Sequence, residues 1–105
     1  MAIVSPSSAH NFVVSVCIGL GSESTEAHLV ADQLVGANLA GHDSHGIGML
    51  PSYVAGAVNG HLKVNQTPKI TTDAGALVVF DGQSGFGQVN GYEAMNEGIK
   101  RAEQF

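Results

Sequence analysis

The spacing of apolar residues changes near Gln66, and this change constrains the fold more than any other feature of the chain. Before it, apolar residues such as Val30 and Leu34 recur at the spacing of one helical face. After it, two runs rich in β-branched and apolar residues flank the turn-forming triplet Asp73-Ala74-Gly75, which predicts a short hairpin. The sequence therefore predicts an α+β protein in which amino-terminal helices precede a β-hairpin and a final helix.

The ends of the first two helices are predicted from residues that start or stop helices. Ser5 followed by Pro6 favours a helix start, and the glycines within 19–21 favour its end. Ser22 is the expected amino-terminal cap of the second helix, because a serine hydroxyl can accept a hydrogen bond from a free backbone amide. This second helix is predicted to end within 39–41.

Two further helices are predicted, and the third has an irregular start. Pro51 removes a backbone donor and clashes with the preceding turn. The regular part of the third helix should therefore begin near Pro51, and Asn59-Gly60 should end it. The fourth helix should cover 88–105. Its apolar face is predicted to consist of Tyr92, Met95, Ile99 and Ala102.

Charge, cysteine content and apolar run length exclude several classes of protein. The 105-residue chain has a net charge of −5 and no cluster of basic residues, so nucleic acid is not an expected partner. Cys17 is the single cysteine, which rules out an internal disulfide and fits the cytoplasm. On an apolar helix, Cys17 is expected to be a core residue. The apolar run 12–20 is too short to span a bilayer, so no membrane partner is expected.

Two segments are expected along the chain. Residues 1–62 form a helical segment that carries a polar motif, and residues 63–105 form the start of an α/β domain. The run 100–103 still has helical character, and no helix-terminating residue follows it before Phe105. The chain is therefore expected to be the amino-terminal part of a longer protein, whose remainder adds strands to the hairpin.

Side chains suited to acid–base chemistry concentrate in one short segment. His42, Asp43, Ser44 and His45 are consecutive, and a glycine stands on either side of them. Flanking glycines allow a substrate or another backbone to approach closely. Because imidazole, carboxylate and hydroxyl groups can exchange protons or hydrogen bonds with a polar ligand, this segment is the predicted functional site.

The same segment resembles the signature of the malate/L-lactate dehydrogenase family. The resemblance is most specific in His42-Asp43-Ser44-His45-Gly46. Other matching segments, in the family's order, are 31–35, Leu50-Pro51, Tyr53, Asp81-Gly82 and Gly85-Phe86-Gly87-Gln88. The run Gly46-Ile47-Gly48-Met49 is most similar to the hydroxycarboxylate dehydrogenase branch of the family.

This resemblance implies an enzyme with a larger α/β fold unrelated to the Rossmann type. The implied activity is reversible hydride transfer between NADH or NADPH and a small 2-keto or 2-hydroxy carboxylic acid. Such an enzyme is expected to be a cytoplasmic homodimer and to be active only at full length. The resemblance assigns no cofactor-binding residue here, because the family's dinucleotide contacts are expected from later segments.

His45 is the predicted catalytic residue. Oxidation of a secondary alcohol needs a base for the hydroxyl proton, and histidine titrates close enough to neutral pH to serve in both directions. Ser44 is a candidate to hydrogen-bond the substrate, with His42 and Asp43 as supporting residues that orient the site.

Met49 is the second substrate-binding candidate. Many family members carry arginine there, and methionine cannot pair with a carboxylate. Either a later residue supplies that cation, or the substrate is bulkier and less polar.

Simpler interpretations of these residues remain open. Ser44 could be only a helix cap with Asp43 beside it, and both histidines could be exposed loop residues. The spacing His42-x-x-His45 also fits two zinc ligands, but no third ligand is evident, so no metal is expected.

The glycine-rich run 82–87 lacks the lysine and the spacing of a phosphate-binding loop and should form a tight turn. The whole chain could also be a noncatalytic helical interaction or dimerisation module with an exposed apolar patch.

Overall fold

The structure is a computed structural model that describes residues 3–105. Its elements, in chain order, are α1 (Pro6–Gly19), α2 (Ser24–Leu39), two 3₁₀ turns (Asp43–His45 and Ile47–Met49), α3 (Leu50–Asn59), β1 (Lys69–Ala74), β2 (Leu77–Asp81) and α4 (Gly87–Gln104). This order confirms the α+β prediction of helices followed by a hairpin and a helix. In the described part of the chain, no helix combines the length and the apolar character needed to cross a membrane.

Local sequence signals account for the ends of α1 and α3. Ser5 caps α1 as predicted, and its hydroxyl accepts a hydrogen bond from the Ser8 amide at 3.2 Å. Pro51 lies in the first turn of α3, where a missing backbone donor costs nothing, and the residues before it form 3₁₀ turns instead of regular helix. Gly60 ends α3 with φ 81°, a left-handed conformation that glycine adopts freely.

The loop between α1 and α2 is held by Asn65 and not by a serine cap. Ser22 is buried and Glu23 occupies the N-cap position of α2, so the prediction of a cap at Ser22 is wrong. The Asn65 side chain accepts from the Glu23 amide at 2.7 Å and donates to the Gly21 carbonyl at 2.8 Å. Asn65 has φ 59°, which asparagine tolerates better than most residues. A residue distant in sequence thus fixes the start of α2.

The hydrophobic core lies where the first three helices meet the start of α4. Cys17 is fully buried there, and burial raises the pKa of its thiol, which confirms the expectation of a core residue. Phe86 and Val89 follow residue 62, so both predicted segments contribute to one core, and a domain division at residue 62 stays a prediction. The buried cluster consists of Val13, Cys17, Ala27, Val30, Ala31, Leu34, Leu50, Phe86 and Val89.

The hairpin lies outside this core. β1 and β2 are antiparallel, with Lys69 opposite Asp81 and Ala74 opposite Leu77, and Gly75 turns the chain with φ 70°. The predicted hairpin is confirmed, yet all six residues of β1 are exposed. Several large apolar side chains of the hairpin and of α4 are exposed within residues 3–105, namely Ile70, Leu77, Val79, Tyr92, Met95 and Ile99.

Arg101 connects α4 to the hairpin. Its guanidinium donates to the Asp73 carboxylate and to the Gly75 carbonyl, both at 2.7 Å. Glu97, one turn earlier in α4, accepts from the same guanidinium at 3.1 Å. The hydrogen bond from Arg101 lowers the pKa of the Asp73 carboxyl, and the Gly75 amide and the positive charge of Arg101 lower it further. This ion pair therefore ties the turn of the hairpin to the last turns of the helix.

Acid is expected to weaken the contact between Asp73 and Arg101. Because the folded-state pKa of Asp73 is lowered, the pair adds stability above the unfolded carboxyl pKa of about 3.9. That stability is lost as the pH falls through the folded-state value. Asp73→Asn should therefore unfold at lower urea than wild type at neutral pH, and the two midpoints should converge in acid. Urea unfolding of wild type and Asp73→Asn, measured from neutral pH down into acid, checks the prediction. A difference between the two midpoints that stays constant with pH would contradict it.

Candidate functional site

The His42–Gly46 loop begins where α2 ends at a glycine. Gly41 has φ 83°, a left-handed conformation in which glycine pays no steric penalty. The His42 amide donates to the Ala37 carbonyl at 2.8 Å and closes the helix end. The backbone then winds into the 3₁₀ turn Asp43–His45. A glycine after a helix thus turns the chain sharply and brings the polar residues onto a short turn at the surface.

Ser44 and His45 form a side-chain pair on this turn. Ser44 Oγ and His45 Nδ1 are 3.0 Å apart, and both residues are exposed. When Nδ1–H donates to Ser44 Oγ, the other ring nitrogen, Nε2, carries the lone pair that a general base needs. The regular helix starts at Leu50, so the interpretation of Ser44 as its cap is wrong.

His42 and Asp43 lie beside this pair and make different contacts. The ring centroids of His42 and His45 are 6.2 Å apart in an edge-to-face arrangement. Asp43 Oδ1 accepts from Asn38 Nδ2 at 2.9 Å, which ties the loop to α2. Among residues 3–105, no three His, Cys, Asp or Glu side chains are grouped to hold a metal ion. The zinc interpretation therefore gains no third ligand from these residues.

Asn38 is the residue of this site that sequence reasoning missed. It lies in the last turn of α2, and its Oδ1 accepts from the Ile47 amide at 2.8 Å. Its amide group also packs against Gly46, which is buried, and a Cβ on Gly46 would overlap it. The available signal was an asparagine near a helix end, next to a polar loop. That signal does not specify partners five and nine residues further along the chain.

Met49 lies on the second 3₁₀ turn, shortly after His45. Its side chain is half-buried and packs against the hydrophobic core. Its amide donates to the Gly46 carbonyl at 2.9 Å. A thioether offers no charge to a substrate anion. The structure thus places Met49 next to the loop, with a side chain engaged in packing.

Tyr53 of α3 contacts Phe86 and Gln88 at the start of α4. Gln88 Nε2, in the first turn of α4, donates to the Tyr53 hydroxyl of α3 at 2.9 Å. The rings of Phe86 and Tyr53 lie edge-to-face with centroids 5.6 Å apart. Such aromatic pairs contribute stability beyond the area they bury. The helix that follows the polar loop is therefore fixed to the start of α4.

The glycine-rich segment after β2 forms a turn, as predicted. Asp81 Oδ1 accepts from the Gln83 amide at 2.8 Å, and the Gly85 amide donates to the Gly82 carbonyl at 3.0 Å. The Asn90 side chain fills the space that a side chain at Gly82 would need. These hydrogen bonds within the segment hold it as a tight turn.

An apolar groove of about 640 Å³ runs between α1 and α3. Phe12 and Val58 line it and are exposed. Ile47 is its lining residue nearest in sequence to the polar loop, and neither Ser44 nor His45 lines it. The groove is therefore distinct from the surface at which His45 could meet a substrate.

Comparison with known proteins identifies the family. A family model described as malate/L-lactate dehydrogenase matches residues 4–105. Hydroxycarboxylate dehydrogenase B from Escherichia coli O157:H7 is 56% identical over 95 residues, which make up 90% of this chain and 26% of that protein. L-sulfolactate dehydrogenase from Methanocaldococcus jannaschii is 35% identical over 101 residues, or 96% of this chain and 29% of that protein.

The solved structure of malate dehydrogenase from Pyrococcus horikoshii OT3 shares the architecture of this chain. It matches with a TM-score of 0.92 at 34% identity, over 98% of this chain and 30% of that one. The chain thus spans less than a third of the length of each of these relatives. The family resemblance first seen in the polar motif is confirmed, and it extends over nearly the whole sequence. The chain belongs to the malate/L-lactate dehydrogenase family.

Proposed function

We propose that the full-length protein containing this chain is an NAD(P)-dependent 2-hydroxyacid dehydrogenase. The observation that supports this most directly is the exposed Ser44–His45 pair on a glycine-flanked turn. The three relatives described above are hydroxycarboxylate, L-sulfolactate and malate dehydrogenases. Malate and sulfolactate are both 2-hydroxy carboxylic acids. The proposed substrate is therefore a small acid with a hydroxyl or keto group at C2.

In this proposal His45 handles the proton of the reaction. On oxidation, the C2 hydroxyl gives its proton to His45 Nε2 while a hydride leaves C2. On reduction, the same nitrogen returns the proton to the carbonyl oxygen. A bound nicotinamide cofactor, NAD or NADP, would supply the acceptor or the donor of this hydride. None of the described residues is assigned to hold this cofactor, because the family's dinucleotide contacts are expected mostly from later segments.

The other candidate residues support His45 in different ways. Ser44 holds Nδ1 and retains hydrogen-bonding capacity for a substrate oxygen. His42 and Asp43 are proposed to orient the loop, His42 through its ring contact with His45 and Asp43 through α2. Met49 is proposed to favour an acid that needs no cation at this position, because a thioether packs against apolar groups.

Activity of the full-length protein tests this proposal. Absorbance of NADH and of NADPH is followed with a panel of 2-keto acids, and the reverse reaction with the matching 2-hydroxy acids. We expect oxidation of one of the two cofactors by at least one acid. The 105-residue chain alone should be inactive, because it spans less than a third of the length of these dehydrogenases. A folded full-length protein that is inert with every acid and both cofactors would refute the proposal.

A noncatalytic interaction or dimerisation module is the second candidate, and the groove between α1 and α3 favours it. Exposed apolar patches of this kind mark sites at which proteins associate. Such a module would fold and associate without nucleotide and would show no activity at full length. The enzyme proposal includes a homodimer located in the cytoplasm. The single cysteine, Cys17, is compatible with that reducing compartment. Sedimentation of the full-length protein measures its oligomeric state.

A further inference from the structure

We propose that Asn38 is a positioning residue that holds the His42–Gly46 loop in its reactive geometry. The inference rests on the proposed function, because it assigns Asn38 a task in the reaction of His45. Asn38 makes two hydrogen bonds in opposite senses. Its Nδ2 donates to Asp43 Oδ1 at 2.9 Å, and its Oδ1 accepts from the Ile47 amide at 2.8 Å.

These two partners lie on either side of His45. Asp43 begins the first 3₁₀ turn, and Ile47 begins the second. The first turn otherwise has weak internal support, since 3₁₀ hydrogen bonds have poorer geometry than α-helical ones. One side chain from a regular helix therefore holds the Asp43 carboxylate before the candidate catalytic residue and the Ile47 backbone after it.

The two contacts require an amide at position 38. Aspartate could accept from the Ile47 amide, but it has no donor and would face the Asp43 carboxylate with like charge. Alanine would leave both the Ile47 amide and the Asp43 carboxylate without this partner. The donor and acceptor of the asparagine amide thus match the two groups that the loop presents.

Gly46 supports the same inference independently. Its φ is −93°, so the backbone does not require glycine for a left-handed conformation. A Cβ on Gly46 would instead overlap the three terminal atoms of the Asn38 side chain. Glycine at position 46 therefore provides the room in which Asn38 reaches Ile47, and the pair Asn38–Gly46 acts as one unit.

Loosening this unit should affect turnover more than binding. A displacement of about 1 Å in a reacting group can cost about 100-fold in rate. In the full-length protein, Asn38→Ala is expected to lower kcat about tenfold or more, while KM for NADH or NADPH changes less than twofold. Asn11→Ala, an exposed asparagine on α1, is the matched control and should leave both values unchanged.

A reciprocal exchange separates the hydrogen bond from a general loss of structure. Asn38→Asp combined with Asp43→Asn restores a donor opposite an acceptor and retains the acceptor for Ile47. This double variant should recover kcat to within about fivefold of wild type, whereas Asn38→Asp alone should not. A double variant no more active than Asn38→Asp, or an Asn38→Ala variant with wild-type kcat, would overturn the proposal.

Hydrogen exchange provides a readout that does not depend on activity. Peptides covering residues 42–50 of the full-length protein should exchange faster in Asn38→Ala, because the Ile47 amide loses its acceptor, while peptides from α1 should not change. If wild type is inactive with every acid, the proposed function fails, and exchange still decides whether Asn38 holds the loop. Unchanged exchange in residues 42–50 overturns the positioning role whether or not wild type is active.

Discussion

Replacing His45 by glutamine in the full-length protein is expected to lower turnover with a 2-keto acid by about 100-fold or more. Glutamine keeps hydrogen-bonding groups on the side chain but cannot gain or lose a proton near neutral pH. The Ser44 hydroxyl can still bond to the new side chain, so the loop should keep its shape. The loss should therefore appear mainly in kcat, with a smaller change in KM.

The matched control for this variant is His61→Gln. His61 is also exposed, lies after α3 and makes no described side-chain hydrogen bond. Steady-state rates from NADH or NADPH absorbance, with wild type and both variants, measure the effect. His61→Gln should retain wild-type turnover. If His45→Gln also does so, His45 is not the acid–base group and the proton must pass through another residue.

Local structure could be predicted from the sequence because its causes lie within a few residues. Ser5 and Pro6 together favour a helix start, and Gly60 adopts a left-handed conformation that most other residues avoid. The irregular stretch before Pro51 follows from the geometry of the proline ring. These predictions are confirmed because each rests on residues within a few positions of the feature that it predicts.

Contacts between distant residues could not be predicted in the same way. The cap was expected at Ser22, yet Ser22 is buried, Glu23 occupies the N-cap position, and Asn65 binds the Glu23 amide. The Asn38–Ile47 hydrogen bond likewise depends on how the chain folds back after α2. Short polar side chains have many possible partners, and tertiary placement selects among them.

In the candidate site, too, the identities of the residues could be predicted from the sequence, and their contacts could not. Spacing alone left His42, Asp43, Ser44 and His45 as comparable candidates, and the family motif singled out His45. The structure adds the Ser44–His45 pair and shows that Asp43 bonds to Asn38. The apolar face predicted for α4 is exposed within residues 3–105, because a periodic pattern shows that a face is apolar without showing what covers it.

Replacing Phe86 by alanine is expected to lower the free energy of unfolding by about 3–5 kcal/mol. Phe86 is the largest fully buried side chain, with 1% of its surface exposed. Alanine would leave a cavity in the core and remove the edge-to-face contact with Tyr53. Domains are commonly stable by only about 5–15 kcal/mol, so this single change should shift the unfolding midpoint strongly.

Urea unfolding of the full-length protein, with Phe86→Leu as the control, measures this effect. Leucine fills more of the cavity than alanine, so its loss of stability should be clearly smaller. Because Tyr53 also accepts a hydrogen bond from Gln88, the Phe86→Ala variant should keep one direct contact between α3 and the start of α4. Equal losses for alanine and leucine would show that the Tyr53 contact, and not the cavity, accounts for the stability that Phe86 contributes.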